Sequence, residues 1–582
     1  MASLTSSSKP VRVSKSLCKE EMEAVEQRKI KIHKCLQELG IPCELADVPQ
    51  IAVLGSGGGL RAMVALMGTL SELGAQKLLD SIQYLCGVSG STWCMSSLYN
   101  DEKWSLQVEQ KEAEMVEKLT SKEITFQDEF NRIYEAARDS NFSLTDIWAA
   151  LYVYPVLRDK ETKSVSDQTD KEMLNPYPIY SAIDRWRLEN KDKHDKGIWF
   201  EITRHESGYP GCGAFIETSK FGSIFKEGEI LEQRDEMDLL YLKGLCGSAL
   251  GSWEESKKFI TSLIKGWIKS IPGFNRMLQG RATNESVSTV DPNMECMLLL
   301  LDLHEAFNDG TDCKPIVNAL MALQEGNEEA QKQLQQVLEN WDQQSEAEQV
   351  KTLSDLCQEM CLNYIDQPSL EEAVTLNSIF NGFVTTLKVI TIIVRLLFEW
   401  TWGTKFNFLH KYPNPENVLP SDLVQDEKIY LIDAGLAINC GYPLVLRPER
   451  QVQLILSFDF SAGDPFLTVH QAAEYCQQNN IPFPDIPVVS EEEKACPSDC
   501  YIYSGEDMPT VMHFPLFNKA NCGDAEKIKE MRNLYKTNRR SYSKKEIQDL
   551  LEFSKSNVRR NGDQVIDEMQ KAVEAVLKKQ QE

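Results

Sequence analysis

Two glycine- and serine-rich turns, each preceded by a short apolar run, constrain the fold of this chain most. The first turn, GSGGGLR at Gly55–Arg61, follows the run IAVL, and the second, GVSGS at Gly87–Ser91, follows IQYLC. A helical pattern comes after each turn, over residues 62–73 and 91–99. Strands that alternate with helices build a parallel sheet covered by helices. We therefore predict an α/β sandwich with a mainly parallel central sheet.

The second turn carries a candidate nucleophile. Ser89 is the central residue of a G-x-S-x-S pattern. In a nucleophile elbow, the small neighbours of such a serine permit a sharp strand-to-helix turn that exposes its hydroxyl group. Ser248, in GLCGSALGS, is a rival candidate. Because no convincing strand precedes Ser248, we predict a structural turn there and assign the nucleophile to Ser89.

The first turn is a candidate oxyanion hole. A phosphate-binding P-loop would need a Gly-Lys-Ser/Thr ending, and a dinucleotide fingerprint needs Gly or Ala where this chain has Leu60. The N–H groups of Gly58 and Gly59 can instead stabilise an oxyanion, aided by the positive end of the following helix. Arg61 lies in the same helical turn, where a cation is unfavourable without an anionic partner. A substrate phosphate and a nearby carboxylate both fit that role.

The candidate proton acceptor is Asp433, which follows the strand-like run IYLI and opens the small-residue turn DAGL. In α/β-hydrolases the triad runs serine, acid, histidine along the chain, and Asp433 with His470 or His513 would satisfy that order. The alternative is a dyad in which Asp433 itself accepts the serine proton. The residues leave both arrangements open, and both predict acyl transfer through a serine.

Composition excludes several classes of partner. The chain has 582 residues and a formal net charge of −26, which disfavours binding to nucleic acid. The N-terminal residues lack the apolar core of a secretory signal, so we expect a cytoplasmic protein with reduced cysteines. Cys496 and Cys500 have no matching histidine pair, and none of the 16 cysteines forms a CxxC pair. We predict no metal and no cofactor.

Membrane contact is expected to be peripheral. The apolar stretch Ile379–Trp402 contains Lys388 and Arg395, whereas a spanning helix needs about 20 apolar residues with few or no charges. We predict a buried or interfacial helix there. A second candidate membrane surface is Phe259–Ile271, which has the pattern of a basic amphipathic helix.

We predict three regions along the chain. Residues 1–45 form an N-terminal helical arm, residues 46–522 form a catalytic domain, and residues 523–582 form a charged, polar helical tail. A helical cap or lid is inserted into the catalytic domain at roughly residues 230–405, and within it the Gln- and Glu-rich residues 325–349 are expected to be solvated. The tail carries three basic pairs, Arg539–Arg540, Lys544–Lys545 and Arg559–Arg560.

Several sequence blocks resemble the catalytic domain of the group IV cytosolic phospholipases A2. The blocks GSGGGLRAM, GVSGSTWCMSSLY, DAGLAIN and LILSFDFSAGDPF follow the order of that family. The resemblance covers roughly residues 15–520. It implies a patatin-related α/β sandwich with a cap and a lid.

The resemblance also implies roles for single residues. Ser89 matches the nucleophile and Asp433 its dyad partner, in a family that uses no catalytic histidine. The other matched positions are the oxyanion glycines Gly58 and Gly59, the phosphate-binding Arg61, and a second arginine near the active site, Arg450. The implied reaction is hydrolysis of the sn-2 acyl ester of glycerophospholipids. Lysophospholipase and transacylase activities, with lysophospholipids as further substrates, are implied as well.

Within the family, the chain resembles the gamma type, whose members lack a C2 domain and act without calcium. No Asp-rich calcium loop occurs in residues 1–45, and no cysteine near residue 582 or glycine at position 2 suggests a lipid anchor. We expect a cytoplasmic enzyme that contacts intracellular membranes peripherally. Two other hypotheses stay open: a Ser-Asp-His esterase or lipase for neutral lipids, and a lipid-binding scaffold without catalytic turnover.

Overall fold

The structure is a computed structural model that describes residues 10–121, 126–158, 163–248, 253–270, 292–324, 328–345, 348–349, 351–352, 355, 378–416 and 418–581. Parts of the predicted cap, and parts of the Gln- and Glu-rich residues 325–349, lie outside these ranges.

The strands follow the apolar runs of the sequence. In chain order they are β1 Val11–Val13, β2 Gln50–Gly55, β3 Tyr84–Gly87, β4 Tyr177–Asp184, β5 Trp199–Ile202, β6 Glu206–Tyr209, β7 Ala214–Glu217, β8 Ile224–Lys226, β9 Glu229–Glu232, β10 Thr404–Phe406, β11 Lys428–Asp433, β12 Val452–Asp459, β13 Tyr501–Tyr503 and β14 Thr510–Pro515.

A mixed sheet forms the centre of the fold. Its main path runs β1-β7-β6-β5-β4-β3-β2-β12-β14-β13, and β11 pairs separately with β4. The neighbours from β4 to β14 along this path are parallel, and the pairs on both flanks are antiparallel. The residues of β2 and β3 are all buried, as parallel strands covered on both faces require. The predicted α/β class with a parallel central sheet is confirmed.

The α-helices are, in chain order, α1 Lys19–Glu38, α2 Gly59–Ala75, α3 Gly90–Leu98, α4 Val108–Thr120, α5 Phe126–Ala136, α6 Leu144–Trp148, α7 Tyr154–Leu157, α8 Arg185–Asn190, α9 Leu239–Cys246, α10 Trp253–Ser270, α11 Pro292–Asn308, α12 Lys314–Leu323, α13 Glu328–Asn340, α14 Ser378–Glu399, α15 Ser421–Gln425, α16 Tyr442–Val445, α17 Leu467–Asn479, α18 Glu491–Ala495, α19 Lys519–Cys522, α20 Ala525–Leu534 and α21 Lys544–Gln581.

The chain divides into two compact units. The first, here called the sheet unit, comprises residues 1–123, 156–249 and 405–582, and the second, the helical unit, comprises residues 124–155 and 250–404. The second segment of the helical unit overlaps most of the predicted cap at 230–405. Its first segment, however, comes from a part of the chain that the sequence assigns to the catalytic domain.

The helical unit packs its own apolar core. Helix α11 lies against α10, α12 and α14, and Ile264, Leu300 and Ile393 are fully buried there. Lys265 forms an ion pair with Asp302 at 3.2 Å. Among the helices that the structure describes, none is both long enough and apolar enough to cross a membrane.

The C-terminal helix is part of the sheet unit. Helix α21 lies along α2, and the two approach so closely at Gly68 that a Cβ placed there would lie 2.8 Å from the Leu551 carbonyl oxygen. An ion pair between Arg559 and Glu72, at 2.9 Å, adds to the contact. Where the sequence suggests a polar tail over 523–582, the structure therefore shows an amphipathic helix with its apolar face buried.

Candidate active site

Strand β3, which precedes Ser89, and strand β11, which ends at Asp433, both pair with the same edge of β4. On that edge, Gly87 at the end of β3 pairs with Tyr180, and Asp433 at the end of β11 pairs with Ala182. Strand β3 runs parallel to β4 and β11 runs antiparallel to it, so their carboxyl ends point at each other. Two residues along a strand span about 6.6 Å. The pairing thus brings the turn after β3 and the carboxylate at the end of β11 to one place.

Ser89 occupies a strained turn between β3 and α3. Its φ of 52° and ψ of −122° lie in a region that L-residues rarely adopt, and such strain is typical of a functional site. The turn packs against the first one: a Cβ placed on Gly90 would lie 1.9 Å from the Gly59 carbonyl oxygen. Only a glycine allows this contact. The Ser89 residue is 6% exposed.

The glycine turn before α2, the candidate oxyanion hole, has backbone angles that favour glycine. Gly59 has a φ of 57°, in the left-handed region that favours glycine, and Gly58 has a φ of 155°. Helix α2 begins at Gly59, so the free N–H groups of its first turn lie at this point. The turn lies next to Ser89, because a Cβ placed on Gly57 would be 2.9 Å from Ser89 Cβ.

Asn439 connects the glycine turn to the segment that follows Asp433. Its Nδ2 donates to the Gly57 carbonyl oxygen at 3.2 Å, and its own carbonyl oxygen accepts from the Gly57 N–H at 3.0 Å. On the other side, a Cβ placed on Gly435 would lie 3.0 Å from Asn439 Oδ1 and 3.1 Å from Asp433 Oδ1. Asn439 lies within the sequence block DAGLAIN, in which no pattern indicates a role for it. No signal other than that block could have found it.

Asp433 is fully buried and held by hydrogen bonds. Its Oδ1 accepts the Gly435 N–H at 2.8 Å. Its backbone N–H donates to Ser248 Oγ at 3.1 Å, and this hydroxyl donates to the Leu245 carbonyl oxygen at 3.0 Å. Burial raises the pKa of Cys246, and the nearby charge of Asp433 raises it further. Ser248, the rival nucleophile, therefore supports the backbone of Asp433.

Arg61 points into a set of backbone acceptors. Its Nε donates to the Phe460 carbonyl oxygen at 2.6 Å, and its Nη1 donates to the Tyr535 carbonyl oxygen. Both Nη atoms also contact Thr537 Oγ1, at 3.3 and 3.4 Å. Burial lowers the pKa of the guanidinium, while the charge of Asp459 works in the opposite direction. Tyr535 and Thr537 lie more than 470 positions away from Arg61, so no local sequence pattern predicts that they contact it.

Arg450 lies in a buried ion cluster beside the start of β3. Its five N–H groups make five hydrogen bonds, to Glu21, Glu201 and the Leu444 carbonyl oxygen. Its guanidinium lies 5.5 Å from the centre of the Tyr84 ring. Tyr84 begins β3 and Ser89 follows the opposite end. The structure thus brings Ser89, Asp433, Gly58, Gly59 and Arg61 together and sets Arg450 apart from them.

His513, one of the two histidines that could complete a triad, is engaged elsewhere. His513 lies on β14, which is separated from β3 by β12 and β2. It is buried, and its Nε2 contacts the Pro465 carbonyl oxygen at 2.7 Å. Burial lowers its pKa. Among the described residues, no group of three or more His, Cys, Asp or Glu side chains is arranged to hold a metal ion.

In this sheet, a strained serine follows β3 and a glycine turn follows the neighbouring strand β2. This arrangement is typical of α/β proteins that have a nucleophile elbow. A family model described as a lysophospholipase catalytic domain matches residues 51–261. The chain is 37% identical to cytosolic phospholipase A2 gamma of Mus musculus, over 95% of this chain and 90% of the relative. It is 36% identical to cytosolic phospholipase A2 gamma of Homo sapiens, over 97% and 96%. The chain therefore belongs to the cytosolic phospholipase A2 family.

A solved structure supports the fold. Human GIVD cytosolic phospholipase A2 superposes with a TM-score of 0.63 at 22% identity, over 98% of this chain and 69% of the solved one. The likeness confirms the α/β architecture with its helical additions.

Proposed function

We propose that this chain is a phospholipase A2 that hydrolyses the sn-2 acyl ester of glycerophospholipids through a Ser89/Asp433 dyad. The observation that carries the proposal is the end-to-end meeting of β3 and β11 on β4, opposite Tyr180 and Ala182. It brings the strained serine turn and a buried carboxylate to one place. Membership in the cytosolic phospholipase A2 family supports the choice of substrate.

In the first half-reaction, Ser89 Oγ attacks the carbonyl carbon of the ester and its proton passes to the Asp433 carboxylate. The N–H groups of Gly58 and Gly59 stabilise the oxyanion, together with the positive end of α2. When the tetrahedral intermediate collapses, the bond to the glycerol oxygen breaks. The departing lysophospholipid takes the proton from Asp433, and an acyl-enzyme is left on Ser89.

In the second half-reaction, water attacks the acyl-enzyme and gives a proton to Asp433. Collapse of the second intermediate releases the fatty acid, and the proton returns to Ser89. A lysophospholipid hydroxyl in place of water would give transacylation. A lysophospholipid bound as the ester substrate would give lysophospholipase activity.

The two arginines receive different roles. Arg61 lies in the turn that carries Gly58 and Gly59, so it lies beside the place where the phosphate of a bound substrate would be. Three of its contacts are to protein oxygens of Phe460, Tyr535 and Thr537. We propose that Arg61 chiefly fixes the wall of the site on its phosphate side. The buried pairing of Arg450 supports a structural role.

We further propose that the protein works in the cytoplasm, without calcium, on phospholipids presented by intracellular membranes. A calcium chelator should leave its activity unchanged. A large loss of activity in the chelator would contradict this part of the proposal.

The dyad is tested by the variants Ser89→Ala and Asp433→Asn, assayed for release of fatty acid from phospholipid vesicles. Both should lose activity at least about 1000-fold, since the nucleophile and its proton acceptor act as a unit. Ser97→Ala, on the same helix as the nucleophile turn, and Asp485→Asn, on the exposed surface, are matched controls. Both controls should retain activity, and all four proteins should keep the wild-type melting temperature. Full activity in either dyad variant would end the proposal.

The two other hypotheses make different predictions. A Ser-Asp-His esterase would lose activity in His470→Ala or His513→Asn, whereas the dyad predicts that folded forms of both variants stay active. A non-catalytic scaffold would leave Ser89 unlabelled by a fluorophosphonate probe. We expect the probe to label the wild-type protein and not Ser89→Ala.

A further inference from the structure

The segment between α20 and α21 is strongly basic in a strongly acidic chain. Residues 536–545, here called the basic loop, read KTNRRSYSKK: five of the ten are Lys or Arg and none is Asp or Glu, while the whole chain carries −26. The sequence shows these basic pairs but indicates no function for them. Nothing in the catalytic mechanism uses them.

Two buried tyrosines hold the basic loop in place, and several of its basic side chains are exposed to solvent. Tyr535 just before the loop and Tyr542 within it are buried, and their rings pack edge to face at 5.2 Å. Lys536, Arg540 and Lys544 are exposed. Among the described residues, no group forms a hydrogen bond or an ion pair with the side-chain ammonium of Lys536 or of Lys544. A surface whose cations are held out to solvent can accept external anions at little structural cost.

Arg539 and Lys545 of the basic loop are partly neutralised within the protein. Arg539 is half-buried and pairs with Glu546 at 2.7 Å. Lys545, whose side chain is 82% exposed, pairs with Asp549. These pairs orient the loop at the start of α21. They leave the charges of Lys536 and Lys544 on the exposed surface without a described acidic partner.

The basic loop begins beside Arg61 and the glycine turn of the candidate active site. The Tyr535 carbonyl oxygen accepts from Arg61 Nη1, and Thr537 Oγ1 contacts the same guanidinium. A Cβ placed on Gly59 would lie 2.7 Å from the Thr537 carbonyl oxygen. The first residues of the basic loop therefore contact the glycine turn, and exposed basic side chains of the loop lie next to them in the chain.

We propose that the basic loop docks the protein on a bilayer by binding the anionic headgroups of phospholipids. The proposal rests on the proposed function, since a phospholipase must take its substrate from a lipid surface. Docking through this loop would place the headgroup plane beside the glycine turn. The net charge of −26 opposes approach of other faces to an anionic bilayer, so the loop also orients the protein.

Electrostatic range supports a local contact of this kind. At physiological ionic strength, charges are screened beyond about 8 Å, so the distant acidic surface contributes little at the contact. A Lys or Arg close to an anionic leaflet strengthens binding about fivefold. We therefore expect docking through Lys536 and Lys544 to be reversible and to weaken as the salt concentration rises.

The test is vesicle co-sedimentation of the full chain with phosphatidylcholine alone and with phosphatidylcholine mixed with phosphatidylserine. The variant Lys536→Gln/Lys544→Gln removes two charges without removing a hydrogen bond or an ion pair that the structure describes. Its matched control is Lys171→Gln/Lys226→Gln, which removes two exposed charges from other elements of the sheet unit. We expect the loop variant to bind the mixed vesicles about 10- to 30-fold more weakly than wild type. The control variant should bind like wild type.

Three results would overturn the docking proposal. These are unchanged binding of the loop variant, an equal loss in the control variant, and equal binding of wild type to the two vesicle compositions. High salt should abolish the preference of wild type for phosphatidylserine, and salt-independent binding would also count against it. A loop variant that binds poorly should still hydrolyse a dispersed lysophospholipid below its micelle concentration at the wild-type rate.

The same experiment separates failure of docking from failure of the proposed function. Ser89→Ala should bind vesicles as wild type does, because docking needs no turnover. If Ser89→Ala kept its hydrolytic activity, the proposed function would be contradicted. The vesicle-binding measurements would still test whether the basic loop binds anionic lipids.

Discussion

Ser89 and Asp433 approach each other from opposite directions along one edge of strand β4. The strand before Ser89 ends opposite Tyr180, and Asp433 lies opposite Ala182. Strand β5 pairs with the other edge of β4 over the same residues, so β4 is held from both sides. A rigid central strand thus sets the spacing of the two groups that we propose to react.

Ser248→Ala should lower kcat for phospholipid hydrolysis about fivefold, because the Asp433 N–H loses an acceptor worth about 1 kcal/mol. Ser248→Thr keeps the hydroxyl and should restore most of the activity. Steady-state kinetics, with a pH profile of kcat, would measure both. A loss as complete as that of Ser89→Ala would show instead that Ser248 takes part in the chemistry directly.

Gly90→Ala should lower activity at least about 100-fold, since its Cβ would collide with the Gly59 carbonyl oxygen and displace the oxyanion donors. Gly463→Ala is the matched control, because a Cβ there meets no atom within 4 Å. Activity and melting temperature should be measured for both proteins. An active Gly90→Ala variant would mean that the two turns need not touch during catalysis.

Arg61→Met should reduce hydrolysis of a phospholipid and of a phosphate-free ester by similar factors, and should lower the melting temperature. The reason is that the guanidinium binds Tyr535 and Phe460 beside the glycine turn. Parallel assays with phospholipid and p-nitrophenyl butyrate would measure the two losses. Loss of phospholipid activity alone, in a protein of unchanged stability, would show that Arg61 chiefly binds the substrate phosphate.

Glu201→Gln should lower the free energy of unfolding by about 3–5 kcal/mol, because it leaves Arg447 and Arg450 buried without their shared carboxylate. Burial works to raise the pKa of Glu201, but the two guanidinium groups outweigh it and hold the pKa below its usual value. Denaturant titration would measure the loss, with the exposed Glu229→Gln as control. A change below about 1 kcal/mol would contradict the structural role of this cluster.

Stability should fall as the pH drops from about 6.5 towards 4, partly through His205. Burial, with the charge of Arg204, lowers the pKa of His205 to about 4, whereas the unfolded side chain titrates near 6.5. Between these values the unfolded chain binds the extra proton, so acid favours unfolding. His205→Asn should show a smaller fall in melting temperature between pH 7.5 and pH 5. An identical fall in both proteins would exclude this contribution.

The local elements of the site could be predicted from the sequence, because each is a strand followed by a tight turn and a helix. Ser89, Gly58 and Gly59 all belong to such turns, and their neighbours in the chain decide their backbone shape. Asp433 could be placed at the end of its strand for the same reason. Its approach to Ser89 could not be derived from local patterns, since it depends on β11 pairing antiparallel with β4.

The features that could not be predicted from the sequence depend on contacts between distant segments of the chain. The partners of Arg61 lie in a region that composition alone describes as a charged tail. Helix α21 in this region has a buried apolar face, which is hard to recognise in the sequence because charged residues are frequent along the helix. The helical unit likewise takes residues 124–155 from a separate part of the chain, and no composition change marks that segment.

Because α2 is synthesised long before α21, the packing of α21 on α2 can form only late in translation of this region. Helix α2 starts at the glycine turn, and the helix that covers it is translated nearly 500 residues later. The nascent chain therefore lacks the packing partner of this side of α2 until α21 has been synthesised. A ribosome-bound chain that stops before residue 544 should accordingly be catalytically silent and dependent on chaperones.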